Sequence, residues 1–388
     1  MKIKLFCILL FCNFVFNLPL VFSQNSYTVT FNANDGKGIV PSSQNVSAGS
    51  GFMLPNGNDL VAVIEFGIFS GWNTNADGTG TNYQAGTAYV PTGNTTLYAN
   101  WTIITNLGAK FTWLQNNAQS NRSYTVEVNR DYDVDLNLSR LFILQFRNRN
   151  NITIILKGDN TNRTLRSGVS TLFSVSSGIT FVLDNITLSG NPGSSHVSVS
   201  SGGTFIMNDG SRISGGFPGV DVRQGGNFIM NGGTISENGG NVGAGVIVFG
   251  TFTMNGGNII NNNANLSRVY PEPKQLGGGV AVFDNGTFIM TGGIISGNNA
   301  SHGGGIYLER NANFTKTGGT IIGYTSNRNN GNAARQFDRW GKLTDTIHNG
   351  RGHSIYVSPS LRKETTSGPE DNMSYNGSNG SFGGSWDF

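Results

Sequence analysis

The sequence predicts an all-β protein in which a small β-rich module precedes a parallel β-helix of seven or eight coils. Three observations carry that prediction. Glycine accounts for 56 of 388 residues and charged residues for only 12%, a composition that suits turns far better than helices. One apolar phrase recurs between glycines: GGNFIMNGGTISEN at 225–238, GTFTMNGGNIINNN at 250–263 and GTFIMTGGIISGNN at 286–299. Within each phrase the apolar residues alternate with a period of two, that of a strand with one buried face.

Aligned on phenylalanine, the phrase becomes a frame. Phe205, Phe228, Phe252, Phe288 and Phe314 follow one another at 23, 24, 36 and 26 residues. Met207, Met230, Met254 and Met290 stand two residues after them, and Lys316 breaks that series. Five or six residues further come Ile213, Ile235, Ile259, Ile295 and Ile321. Six or eight residues before each Phe an aliphatic pair begins: Val197/Val199, Val220/Val222, Val246/Val248, Val280/Val282 and Ile306/Leu308. Three short strands per turn of about 24 residues describe a coil that bonds to the next, with like side chains stacked about 4.8 Å apart.

The 36-residue interval tests the frame. Its excess lies between Ile259 and Val280, where NNNANLSRVYPEPKQLGGG carries two prolines and reads as a loop leaving one corner. Earlier coils are read from Ile154/Leu156 with Leu165, and from Phe173/Val175 with Phe181/Leu183 and Leu188; Ile355/Val357 resume the frame after an insertion at about 325–352. The stack would be about 35 Å long. Asn191, Asn238, Asn262 and Asn298 each stand three residues after the Leu/Ile position, which predicts an asparagine ladder at one turn. Residues 106–122 are expected to form a helical N-terminal cap, with Phe111, Leu114 and Ala118 on one face, over an open end that would otherwise invite aggregation. Residues 123–388 then hold the β-helix and a C-terminal cap or tail, including Trp340 and the terminal SYNGSNGSFGGSWDF.

Residues 1–23 have a basic start, a long apolar run and Val21 and Ser23 at its end, the form of a secretory signal peptide. A retained membrane helix is the alternative, interrupted by Asn13, Asn17 and Pro19; a lipid anchor on Cys12 would lack the small residue that should precede it. Cleavage removes Cys7 and Cys12, so the exported chain would hold no disulfide, no thiolate site and no transmembrane segment. It also removes Lys2 and Lys4, leaving 23 basic against 22 acidic residues. Such a balance gives no electrostatic footprint for nucleic acid.

Residues 26–102 stand outside the repeat. Alternation in Tyr27–Phe31 and Leu97–Trp101 makes these the expected outer strands of the module. Its words YTVTFNANDG, FSGW (Phe69–Trp72), a Gly-rich turn with Tyr83 and the closing LYANW resemble the B repeat of internalin-type surface proteins, the Listeria–Bacteroides repeat. That resemblance implies a β-grasp-like fold on a cell-envelope or extracellular protein, and it carries no catalytic residue with it. The remainder, with GGTFIMNDG and GGGIYLERNANF, resembles the pectin-lyase-like right-handed β-helix superfamily, more its repeat-bearing bacterial surface proteins than its enzymes.

β-Helix lyases and hydrolases need several carboxylates on adjacent coils, for Ca²⁺ and a base or as an acid pair. The coils offer Asp184, Asp209, Asp221, Glu237, Asp284 and Glu309 at differing positions in the frame, so no acidic ladder is expected. Asp184 and Asp209 fall near one turn without a base to complete them. His196, His302, His348 and His353 read as isolated turn residues, and GHS at 352–354 lacks the acidic motifs of a hydrolase. DYDVD (131–135) reads as a solvated strand, with Ca²⁺ attraction as the alternative. No nucleophile elbow or phosphate loop is present. Arg335, Arg339, Lys342, Arg351, Arg362 and Lys363 are offset by Asp338, Asp345 and Glu364, and binding of anionic glycans there competes with a merely solvated surface.

The expectation is therefore an exported surface protein with no catalytic, cofactor-binding or metal-ligating residue. It would act as an adhesion or binding scaffold toward glycans or host and cell-surface proteins, through the 265–276 and 325–352 insertions above all. A polysaccharide lyase or glycoside hydrolase is the alternative, and a purely structural envelope component a third.

Overall fold

The computed structural model describes residues 25–388 apart from 135–141, 145, 147, 160, 169–170, 191–192, 265–274, 284, 324–330, 338–342, 348–353, 359–360, 364–372, 377, 379–380 and 385–388. The leader, Asn191, Asp284, His348, His353, Trp340, Arg339, Lys342 and Arg351 lie outside the described residues. The chain divides into two compact units at Ile104/Thr105.

The first unit is built on a five-stranded sheet in the order Gln44–Ser47, Ser26–Asn32, Thr95–Ile103, Gly67–Asn73, Asn82–Tyr83. Its first and last long strands run parallel, Val29 opposite Thr95 and Phe31 opposite Leu97. The expectation that they are outer strands is thus corrected: they lie side by side inside the sheet. Alternation reports one buried face, and it is silent on how many neighbours a strand has. Val29, Phe31, Leu54, Trp72, Leu97 and Ala99 form the core. The Trp72 ring lies 4.7 Å from that of Phe31, and its buried Nε1–H donates to the Pro55 carbonyl at 2.9 Å.

The second unit is a right-handed parallel β-helix. Its three sheets are named here for their inward residues. The Phe sheet has ten strands, the last two antiparallel; the Ile sheet has eight, all parallel; the Val sheet has nine, the last antiparallel. Among the described residues, eight coils therefore stack in parallel, at the upper end of the expected number.

Register follows the sequence frame residue for residue. Phe205 pairs with Phe228, Phe228 with Phe252, Phe252 with Phe288 and Phe288 with Phe314. From Phe205 to Phe288 their rings stack at 4.6–4.9 Å with interplanar angles of 5–15°. Met207, Met230, Met254 and Met290 form the adjoining column, and both columns are shut off from solvent. Lys316 takes the next Met position and is equally buried, opposite Met290 on one side and Met373 on the other. Its aliphatic stem continues the column into the last coil.

The Gly-Gly pair has a steric cause. Gly257 has φ +81°, and a methyl group there would come within 2.6 Å of Met230 Cε in the coil before. The second glycine thus both turns the chain and makes room for the neighbouring methionine.

The predicted asparagine ladder exists through Asn238, Asn262 and Asn298, with a further rung beyond them, while Asn191 lies outside the described residues. Asn262 Oδ1 accepts from Asn238 N and Nδ2 at 3.1 and 2.9 Å, and Asn298 Oδ1 accepts from Asn262 N and Nδ2 at 2.9 Å each. The fourth rung is Asn332, whose Oδ1 accepts from Asn298 N and Nδ2 at 3.1 and 2.8 Å. The second amide hydrogen of each goes to a carbonyl of the preceding coil, for example Asn262 Nδ2 to Ile235 O at 3.0 Å. Every polar atom of these buried amides is therefore spent, which offsets the cost of burying them.

Asn332 stands inside the segment read as a loop insertion. Next to it, Ala333–Ala334 pair in parallel with Asn299–Ala300, so the chain rejoins the stack there before leaving as the hairpin Ala333–Phe337/Leu343–Ile347. The 325–352 insertion is accordingly two excursions separated by a rung.

Both ends are covered. Helix α1 (Leu107–Asn117) starts at Asn106, whose Oδ1 accepts from Ala109 N at 2.9 Å. It buries Leu107, Phe111, Trp113 and Leu114. Phe111 and Ala118 lie on the face expected, and Phe111 meets Phe173 at 5.7 Å. Arg149 fastens its far end by donating to the Gln115 and Asn116 carbonyls. At the other end the hairpin Met373–Asn376/Ser381–Gly384 adds antiparallel to the Phe sheet, with Tyr375 on Phe382 at 4.8 Å.

Three substitutions separate inner from outer stacking. Phe252→Ala should destabilise the β-helix by about 3–5 kcal/mol in chemical denaturation. Asn262→Ala strips donors and acceptors from two buried neighbours and should cost about 1–3 kcal/mol, whereas the exposed Asn255→Ala should stay within about 0.5 kcal/mol.

Candidate functional site

Three acids of the coils lie against neighbouring cations. Asp184 Oδ2 lies 3.6 Å from Lys157 Nζ, Glu237 Oε2 2.9 Å from Arg212 Nη2, and Asp221 Oδ2 3.1 Å from Arg223 Nε. Asp184 stands opposite Lys157 in the register, and Asp209 lies beyond the strand end over Gly232, so the two do not build one site. Asp131 of DYDVD accepts from Thr164 N at 3.0 Å and faces Arg166 at 3.9 Å. Among the described residues, no group of three His, Cys, Asp or Glu could hold a metal ion.

Sequence reasoning missed Asp159. It accepts from Arg163 Nε and Nη2 at 2.9 and 2.6 Å and from Thr161, so those bonds, Arg163 first, hold its carboxyl well below the usual range. The signal was legible as D-x-T-x-R at 159–163.

The histidines differ from one another. His302 Nδ1 lies 3.0 Å from Ser301 Oγ, and its ring meets Tyr356 edge-on at 5.0 Å. His196, expected at an open turn, is 2% exposed. Gly190 and Gly216 close on its ring, and Nε2 lies 2.8 Å from the Ser214 carbonyl while Nδ1 is buried without a partner. Burial lowers its pKa, against the smaller opposing effect of the Ser214 bond.

Past its first coils, which carry Glu127, Lys157 and Asp184, the Phe sheet shows an uncharged outer surface. Before, between and after its inward Phe and Met columns, three outward ranks run along the stack. The first is Thr204, Asn227, Thr251, Thr287 and Asn313; the second is Ile206, Ile229, Thr253, Ile289 and Thr315. The third, just past the Met position, is a ladder of exposed amides and one hydroxyl. Asn231 Nδ2 donates to Asn208 Oδ1, Asn255 Nδ2 to Asn231 Oδ1 and Thr291 Oγ1 to Asn255 Oδ1, at 3.2, 3.0 and 2.8 Å. Rungs are spaced about 4.8 Å and alternate residues about 6.7 Å apart, so the face is a regular grid of methyls, hydroxyls and amides.

A notch interrupts one edge of this face. From the last Val to the Phe of each coil is six residues at Val222–Phe228 and at Val282–Phe288, but four at Val248–Phe252. The short corner sits between two longer ones and leaves a groove of about 270 Å³. Gln224 to Asn227 form one wall, Asn285 and Thr287 the other, and Phe249, Gly250 and Thr251 the floor. Phe249 heads a row of rings on the outer edge of the Val sheet, with Phe283 at 5.5 Å and 24° behind it, then Tyr307 and Tyr356. The six-residue offset of Val246 from Phe252, where other coils have eight, was the sequence signal for it.

Comparison with known proteins adds one family. Residues 27–100 match the model of the Listeria-Bacteroides repeat domain. No curated protein and no solved structure matches the chain. Among the described residues, no helix is long and apolar enough to cross a membrane.

His196 sets a pH dependence. Its folded pKa lies below the unfolded value of about 6.5, so the folded state binds fewer protons in acid. Stability should be level above that pH and decline as pH falls through it toward the folded pKa. Thermal unfolding followed against pH should show this slope, and His196→Gln should flatten it.

Proposed function

We propose that this chain is an exported, surface-displayed binding scaffold that recognises glycans or cell-surface proteins without transforming them. The supporting observation is the outer face of the Phe sheet: from Thr204 to Thr315 its two central ranks carry no charge and keep one register. A grid of hydroxyls, amides and methyls on a rigid stack can hold a partner by many weak contacts, each cheap because the side chains are already ordered. Of the acids that a lyase or hydrolase could use, Asp184, Glu237 and Asp221 are paired with Lys157, Arg212 and Arg223.

The N-terminal unit supports display. Its match to the Listeria-Bacteroides repeat is the basis for reading it as an internalin-type B repeat, and the coils are read as a pectin-lyase-like helix of the surface-protein kind. The basic and apolar residues 1–23 supply the export signal in this reading. Recognition by the rigid face takes the place of the corner insertions as the favoured site.

Two measurements check the proposal. Protein recovered from outside the cell should begin at Gln24 on N-terminal sequencing; recovery of an uncleaved chain from the cytoplasm alone would refute export. Incubated with neutral and acidic polysaccharides, with and without Ca²⁺, and with surface protein extracts, the chain should be retained on a partner and release no shorter product. Ile229→Lys should weaken retention about tenfold by placing a charge in the middle rank. Appearance of new reducing ends or unsaturated sugars would establish the lyase or hydrolase reading in its place.

A further inference from the structure

The geometry points to the notch at Phe249 as a subsite for one ring of an uncharged polysaccharide, a hexose polymer lying against the Phe sheet. This rests on the binding reading above and names the ligand chemistry of one groove at its edge.

Four features of the notch select that ligand. Its floor is an aromatic ring held in place by Phe283 at 5.5 Å, so an apolar face is presented without loss of rotamer freedom on binding. Its rim carries the side chains of Gln224, Asn227, Thr251, Asn285 and Thr287. None of these five makes a side-chain hydrogen bond within the described protein, in contrast to Asn208, Asn231 and Asn255 beside them, which bond to one another. The amides and hydroxyls of the rim thus remain available as donors and acceptors. Third, no charged residue among the described ones lines the groove, and Arg223, next to Gln224 in the chain, is paired with Asp221 at 3.1 Å. An acidic sugar would lose its water there with no cation to meet it. Fourth, a volume of about 270 Å³ admits a single ring, while the open flanks of the face let the polymer continue over Asn227, Thr251 and Thr287.

A pyranose fits this set of contacts. One C–H face of the ring lies on Phe249, and equatorial hydroxyls around its edge reach the rim on both walls. A purely apolar guest such as a leucine or phenylalanine side chain would instead leave five polar groups desolvated and unpaired.

Calorimetric titration of the full chain with soluble hexasaccharides of glucose and mannose, and with hexagalacturonate as the acidic contrast, tests the assignment. At least one neutral series should bind, with little change between low and high salt. Phe249→Ala and the double substitution Gln224→Ala/Asn285→Ala should each bind about tenfold more weakly. Phe249→Tyr keeps the ring and should bind as the parent does. Inserting two glycines between Phe249 and Gly250 restores the corner length of the adjacent coils and should abolish binding. Circular dichroism and the thermal midpoint serve to confirm that each variant is folded.

Absence of binding to every neutral hexasaccharide, or preference for hexagalacturonate, would overturn the subsite. So would a folded Phe249→Ala variant that binds as well as the parent; if Ile229→Lys still weakened retention in that case, the scaffold reading would stand without the notch. Shortened oligosaccharides in the titration cell would instead remove the scaffold reading itself.

Discussion

The whole β-helix depends on one constraint: each inward side chain must lie on its counterpart in the next coil. Strands of three or four residues, such as Val246–Val248 or Thr251–Met254, are far too short to persist alone. They exist because backbone bonds to the coils on both sides fix their register, and that register brings Phe252 onto Phe228 and Phe288. A slip of one residue would send Phe and Met outward and Thr and Ile inward, so the apolar columns specify the alignment as strongly as they stabilise it. The buried amide ladder enforces the same register by hydrogen bonding. Asn262 can satisfy its Oδ1 and Nδ2 only when Asn238 and Asn298 are at the same level of the stack.

This constraint also explains where the sequence is free. Inner positions repeat their residue type, outer positions need only tolerate a strand, and corners need only close. Excess chain is therefore shed at corners, after Ala264 and around Asn332, without disturbing the columns. The same freedom allows a corner to lose residues. Shortening between Val248 and Phe252 leaves both in their columns while removing the outer lip of one coil.

The columns were legible because they obey two periods at once, two within a strand and about 24 between coils. What escaped notice obeyed neither. Asn332 stands eleven residues after Ile321, where its fellow rungs stand three after theirs, and only the pairing of Ala333 with Asn299 shows that the chain has returned. His196 was read as a turn residue because nothing local marks burial; the closeness of Gly190 and Gly216 does, and that is a contact between coils. Tyr27–Phe31 and Leu97–Trp101 were placed at the outside of their sheet because alternation counts faces and not neighbours. Asn208, Asn231 and Asn255 form a continuous outer ladder that the apolar frame does not register, because it follows only the inward positions. The notch was visible as four residues where six are usual, but a missing pair in a corner leaves the frame intact and raises no conflict to resolve.

The contrast between spent and unspent amides is what sets the proposed recognition surface apart from the structural ladders on this stack. Burying an amide costs least when it is fully bonded, and the Asn238–Asn332 ladder is. The outer Asn208–Thr291 ladder is bonded along its length, which stiffens that edge and uses its groups against one another. The residues around Phe249 differ because the short corner breaks the stacking there: Gln224 and Asn285 have no equivalent between them at the level of Gly250. Their groups lack the neighbour that would satisfy them. The interrupted corner thus leaves open donors and acceptors beside an aromatic ring packed on Phe283, and it is the ring whose ordering cost has been met in folding rather than in binding.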